Sequence, residues 1–355
     1  MDSNVVLPLL SAVLAIVFAI LVADQWLRRH HAYQLVWTVG LLWFAIGAGT
    51  EFIGEAWGWS EGLYRAWYLT GAILVAAWLG LGTVYLLART RFGFAFAFSV
   101  LVAGLFTFLT EARYRYPAAG GAPLIYLGVA ILAAAVITGL SIRRDDRWAT
   151  VAAALVLGGS LVAAVMVLTV HLPAPGYAID RATRIPIGEL FPGYLRLLTP
   201  FFNVTGAFAL AFGALYSAYV FMPKRRVIRY SLRDRSPSAL LRNAPLVPIA
   251  VVVNFVASLP GTARALVAGR LSSRVPATIL IAVGAFIPSV TTGLNRFGST
   301  SAFYIGQLLG LIFIFLGFLV SIEVFSDLRL PFTRIVLARR DGQQRDVVDT
   351  GGRPA

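Results

Sequence analysis

Glu51 and Glu55 stand four residues apart, a spacing that puts both carboxylates on one face of a helix. Glu111 precedes Arg113 and Arg115, His171 stands alone, and Arg65 and Arg196 each follow a glycine by three positions (Gly62 and Gly193). A guanidinium donates two parallel hydrogen bonds to a carboxylate or phosphate, which makes Arg65 and Arg196 candidates for holding an anionic group. Glu51, Glu55, Glu111 and His171 would then surround that group. One histidine with three scattered carboxylates is a weak metal pattern, and no metal is assigned. Tyr85 and Tyr216 are candidates for gating a path, or for packing against the glycines near them. The simpler alternative is that Glu51, Glu55 and Glu111 pair with Arg65, Arg113 and Arg115 at headgroup level.

Other chemistries are excluded by residue type. The chain has no cysteine, hence no disulfide, thiolate metal site or iron–sulfur cluster. Its one lysine, Lys224, follows Met222-Pro223 rather than lying within an apolar run, which removes a retinal Schiff base. His30 and His31 fall in a turn and His171 at a helix end, so bis-histidine haem is not expected. No phosphate-binding glycine loop with lysine and no His-Glu-x-x-His occurs. No cofactor and no catalytic constellation is expected.

These groups are set in a chain of 355 residues that is 59% hydrophobic and only 13% charged. A soluble domain carries about twice that charge, so the class is a polytopic membrane protein. Nine apolar stretches are long enough to cross a bilayer: 5–23, 33–53, 66–88, 93–110, 123–142, 148–170, 197–221, 277–294 and 302–326. Each is expected to be helical, because lipid offers the backbone no water. A tenth, 246–259, stops at Pro260-Gly261 and reads as interfacial, re-entrant or buried. Met1-Asp2-Ser3-Asn4 lacks a basic n-region, so the first stretch reads as a retained helix.

The net charge of +14 invites a nucleic-acid reading, but its distribution follows the membrane. Of the basic residues only Arg65, Arg113, Arg115, Arg181, Arg184, Arg196 and Arg296 fall on the N-terminal side of the nine crossings. The remainder mark the other side as cytoplasmic, with the N-terminus outside and the C-terminus inside. Trp57, Trp59, Trp67 and Tyr68 read as anchors at the outer interface, Trp26, Tyr33 and Trp148 at the inner one.

Comparison of the chain with itself suggests a duplication. At a shift of 115 residues Pro8-Leu9 meets Pro123-Leu124 and Arg28-Arg29 meets Arg143-Arg144. At a shift of 131, Arg65 meets Arg196, Gly82 meets Gly213 and Tyr85 meets Tyr216. Three helices, a linking helix and three more in parallel is a known transporter plan. That layout resembles the SWEET and PQ-loop organisation, although no Pro-Gln dipeptide occurs here and the family is not assigned.

The expected architecture is therefore all-α. It comprises a seven-helix bundle over 1–222, a basic connector over 223–276, a helical hairpin over 277–328 and a cytoplasmic tail over 329–355 that is largely disordered at its end. The expected setting is a bacterial inner membrane, with the basic connector on anionic lipid headgroups and no nucleic-acid partner. The expected function is binding or passage of a small anionic solute or lipid through the bundle. The alternative is a non-transporting module, either a sensor or a subunit held by other membrane proteins.

Overall fold

The computed structural model describes residues 3–181, 184–228, 246–295, 300–321, 327–329, 331–333 and 336–339. The fold is that of an all-α polytopic membrane protein. The helices are α1 (Ser3–Arg29), α2 (Ala32–Trp57), α3 (Glu61–Trp67), α4 (Val75–Leu86), α5 (Gly93–Tyr114), α6 (Ala122–Arg143) and α7 (Trp148–Thr169). They continue with α8 (Gly193–Arg196), α9 (Leu198–Phe221), α10 (Leu246–Val267), α11 (Arg274–Asn295) and α12 (Thr300–Val320). A π-helical segment, Tyr68–Leu74, joins α3 to α4 within one span. Two short antiparallel strands, β1 (Asp327–Arg329) and β2 (Val336–Arg339), follow the last helix. The connector from 229 to 245, the hairpin turn at 296–299 and the tail from 340 lie outside the described residues.

Among the described residues nine helices are long and apolar enough to cross a membrane; eight match expected spans, the ninth is Ile249–Val267 of α10, and the stretch expected at 277–294 gives only a shorter apolar helix, Arg274–Pro288. Exposed side chains on α6 and α7, such as Leu124, Leu132, Leu161 and Leu168, are apolar, as a lipid-facing surface requires. Close helix contacts use glycine, because dispersion acts over short range and a side chain would hold the backbones apart. A Cβ on Gly206 of α9 would collide with the Ala76 carbonyl of α4. Gly80, Gly82, Gly159, Gly310 and Gly317 are similarly crowded, whereas Gly158 faces open space and packs against nothing.

The C-terminal hairpin belongs to the same core. Gly284 meets Gly310 and Gly317 meets Ala277, which fixes α11 and α12 as antiparallel. α11 lies along α9, while Phe315 and Phe318 of α12 pack on Phe18 of α1. Phe318 also stacks edge-on against Trp37 of α2. The hairpin thus bridges α9 and α1.

The contacts do not follow the two-triplet pattern. α1 packs along α2, but the matched α6 and α7 touch far less. α2 packs firmly on α4, whereas α7 meets α9 chiefly through Phe202 on Gly159. The aromatic belt also differs from expectation. Trp57 is exposed, but Trp59, Trp67, Tyr68 and Trp148 are buried in the core.

α10 runs through Pro260 to Val267 instead of stopping there; proline costs one ladder bond but does not end this helix. Length and composition would let Ile249–Val267 cross, yet the ring of Phe255 at its middle meets Tyr219 in the last turn of α9. Asn254, Ser258 and Thr262 form a buried polar column. Asn254 Oδ1 accepts the amides of Val227 and Ile228 at 2.8 and 2.9 Å, and Ser258 Oγ accepts that of Arg225 at 2.9 Å. Ile249, Val252 and Val256 point outward. The midpoint of α10 is thus held at the end of α9.

Candidate solute-binding site

Glu51 lies two turns from the end of α2, at the end of the bundle opposite the arginine-rich turns. α2 approaches the π segment glycine to glycine: a methyl on Gly47 would fall 2.8 Å from the Gly71 Cα. That contact seats Glu51 against Trp67. The Glu51 side chain is buried, at 2% exposure. Its Oε1 accepts the Trp67 indole N–H at 3.1 Å and the Gln307 amide of α12 at 3.5 Å. Its Oε2 is buried with no hydrogen-bond partner. A carboxylate within a membrane span is costly and usually paired, and Glu51 has no basic partner among the described residues. One turn later Glu55 is also buried, with Arg184 of the α7–α8 loop 3.9 Å away. Arg184 was not among the expected partners of the three glutamates, Arg65, Arg113 and Arg115.

Arg65 is committed elsewhere. Its Nη1 donates to the Val167 carbonyl and its Nη2 to the Val170 carbonyl at 2.6 Å, while Nε and Nη2 both reach Glu61 Oε1. The carbonyls of a helix's last turn have no intrahelical donor, and Arg65 supplies one to the end of α7. His171 follows Val170 directly and is exposed. Arg196 is different. Its guanidinium stacks on the Tyr116 ring at 4.0 Å and makes no ion pair among the described residues. Glu111 Oε2 accepts the Tyr116 amide at 3.1 Å, which ties the end of α5 to the ring beneath Arg196.

The π segment stands between these groups. On its far side from α2, the Thr199 hydroxyl donates to the Tyr68 hydroxyl at 3.1 Å. Asn203 Nδ2 donates to the Ala72 carbonyl at 3.0 Å. Thr199 and Asn203 of α9 are thus engaged in interhelical bonding, while the Thr205 hydroxyl is buried with no partner among the described residues. π-turns free backbone groups from the regular ladder and are frequent at functional sites.

No family model matches this chain, and neither a curated protein nor a solved structure is significantly similar to it.

Of the residues singled out from the sequence, the structure gathers Arg196 with Glu111 through Tyr116, and Glu51 with Glu55 on one helix face. Tyr85 and Tyr216 lie at the other end and pack against the core, Tyr216 with its ring 6.0 Å from that of Phe92. Glu51, Glu55, Glu111 and His171 do not form a group that could hold a metal. Sequence reasoning missed Trp67 as the partner of Glu51, Arg184 as the partner of Glu55 and Glu61 as the partner of Arg65. Only the Glu61–Arg65 pair carried a signal, its four-residue spacing in a helix.

Proposed function

We propose that the protein binds a small polar solute in the half of the bundle around the π segment and passes it across the membrane, with Glu51 as the group that engages it. The observation that carries this reading is the buried Glu51 carboxylate, held through one oxygen and without a hydrogen-bond partner at the other. That unsatisfied oxygen suits an ammonium, hydroxyl or amide donor on the solute. Arg196 supplies the anion-binding arm, because Arg65 has its donors committed to α7 and Glu61.

The arginine-rich end faces the cytoplasm of a bacterial cell on the positive-inside argument, with the N-terminus outside. α10 then lies in the inner interface, its apolar face toward lipid and its flanking arginines toward anionic headgroups.

The solute reading is tested by carbodiimide labelling of Glu51, read by mass spectrometry, with uptake of labelled amines, amino acids and phospholipids into proteoliposomes. At least one solute should protect Glu51, and Glu51→Gln should abolish its uptake. Uptake unchanged by that substitution overturns the role of Glu51. Absence of both protection and uptake would favour a non-transporting membrane module.

A further inference from the structure

At the basic end of the bundle a cavity of about 360 Å³ opens between the α4–α5 and α6–α7 turns. Its wall holds Arg89, Arg91 and Arg144, together with Thr90, Ser141, Asp145 and the indole of Trp148. None of the three arginines forms an ion pair among the described residues. The one acid in the wall, Asp145, is turned to its own chain: its Oδ1 accepts the Arg147 amide at 2.9 Å. Three arginines therefore line the cavity beside one engaged carboxylate.

The walls are fixed. Trp148 is buried and donates its indole N–H to the Ala88 carbonyl at 2.9 Å, which clamps the two turns together. Thr90 Oγ1 donates to the Leu87 carbonyl at 2.7 Å and accepts the Phe92 amide at 3.1 Å, shaping the start of α5. Ser141 lies against Gly93, and its buried hydroxyl has no hydrogen-bond partner. Arg144 sits at φ 60°, closing α6 with the Asp145 amide on the Leu140 carbonyl at 3.0 Å. Glycine normally takes that left-handed position, and a side chain there carries a conformational cost. The residue that bears the cost is the one that brings a third guanidinium to the cavity.

We propose that this cavity binds a phosphate group, in the form of an anionic phospholipid headgroup or a soluble phosphate, through Arg89, Arg91 and Arg144. Guanidinium forks match the tetrahedral oxygens of a phosphate with paired, charge-assisted hydrogen bonds. The volume lies at the small end of ligand sites, enough for a headgroup and not for acyl chains, which would run down the adjacent apolar helices. The site is at the opposite end from Glu51 and does not depend on the solute reading.

The test uses the full chain in nanodiscs of phosphatidylcholine. Added phosphatidylglycerol and inorganic phosphate are the two probes, and binding is read by native mass spectrometry and by the midpoint of thermal unfolding. The wild type should bind one of them. Phosphatidylglycerol alone identifies the source as lipid, and inorganic phosphate identifies it as soluble. Arg144→Gly should fold at least as well as the wild type, since glycine suits φ 60°, yet bind at least about tenfold more weakly. Arg89→Ala with Arg91→Ala should remove binding. Equal binding by Arg144→Gly and the wild type, or no binding of either probe to the wild type, overturns the proposal.

Discussion

Replacing Arg65 with methionine separates two roles for this residue, a fastener of α7 and a ligand for an anion. Methionine keeps an unbranched apolar stem, shorter than arginine by the guanidinium, and removes every donor. The carbonyls of Val167 and Val170 would then lose their guanidinium partner. Interhelical hydrogen bonds in membrane proteins contribute about 0.6 kcal/mol on average and about 1.7 at most, so two bonds contribute roughly 1–3 kcal/mol. The Glu61 bridge adds little, because Glu61 is half exposed and such pairs are worth less than about 1 kcal/mol. Unfolding of the purified protein by sodium dodecyl sulfate, followed by circular dichroism, should show Arg65→Met destabilised by roughly 1–3 kcal/mol. Arg65→Lys should fall between, since one ammonium lacks the fork that spans both carbonyls. Stability of Arg65→Met indistinguishable from the wild type would refute the fastening role and return Arg65 to the ligand-binding set.

Further outcomes follow from single contacts. Gly206→Val would push a side chain into the Ala76 carbonyl and should destabilise the α4–α9 crossing by about 1–3 kcal/mol or more, read as a lowered unfolding midpoint. Asn254→Leu removes the acceptor for the Val227 and Ile228 amides; their hydrogen exchange should quicken by about 5–30-fold with the bundle helices unchanged. Unaltered exchange there would show that α10 does not clamp this segment. Because the chain has no cysteine, orientation is readable with single introduced thiols. An impermeant maleimide on intact cells should label Gly120→Cys and not Asp146→Cys, and the reverse pattern would invert the topology.

Eight of the nine spans were legible because about twenty apolar residues in succession admit only a helix in lipid. α10 was harder: its apolar run breaks at Pro260, and the polar column that seats it is visible only beside residues 225–228. The partner of Glu55 and the carbonyl partners of Arg65 were illegible for a related reason. Arg184 reaches Glu55 across a long loop, and the Val167 and Val170 carbonyls are backbone groups that no residue type announces. The duplication drawn from matched Arg and Gly positions did not foretell packing, since helices of similar composition can choose different neighbours. The belt of tryptophans misled because a large ring suits both an interface and a core, and Trp67 and Trp148 are used inside.

The π segment has a consequence for how this span can move. A π-turn carries one residue more than the regular helix needs, and one residue is worth about 100° of rotation. Trp67 before it faces Glu51 on α2, while Trp78 after it donates to Ser160 on α7. Were the extra residue to migrate along the helix, the stretch it crossed would turn about the axis while both ends of the span stayed fixed. If the stretch crossed included Trp67, Glu51 would lose its indole partner without α2 having to tilt or slide.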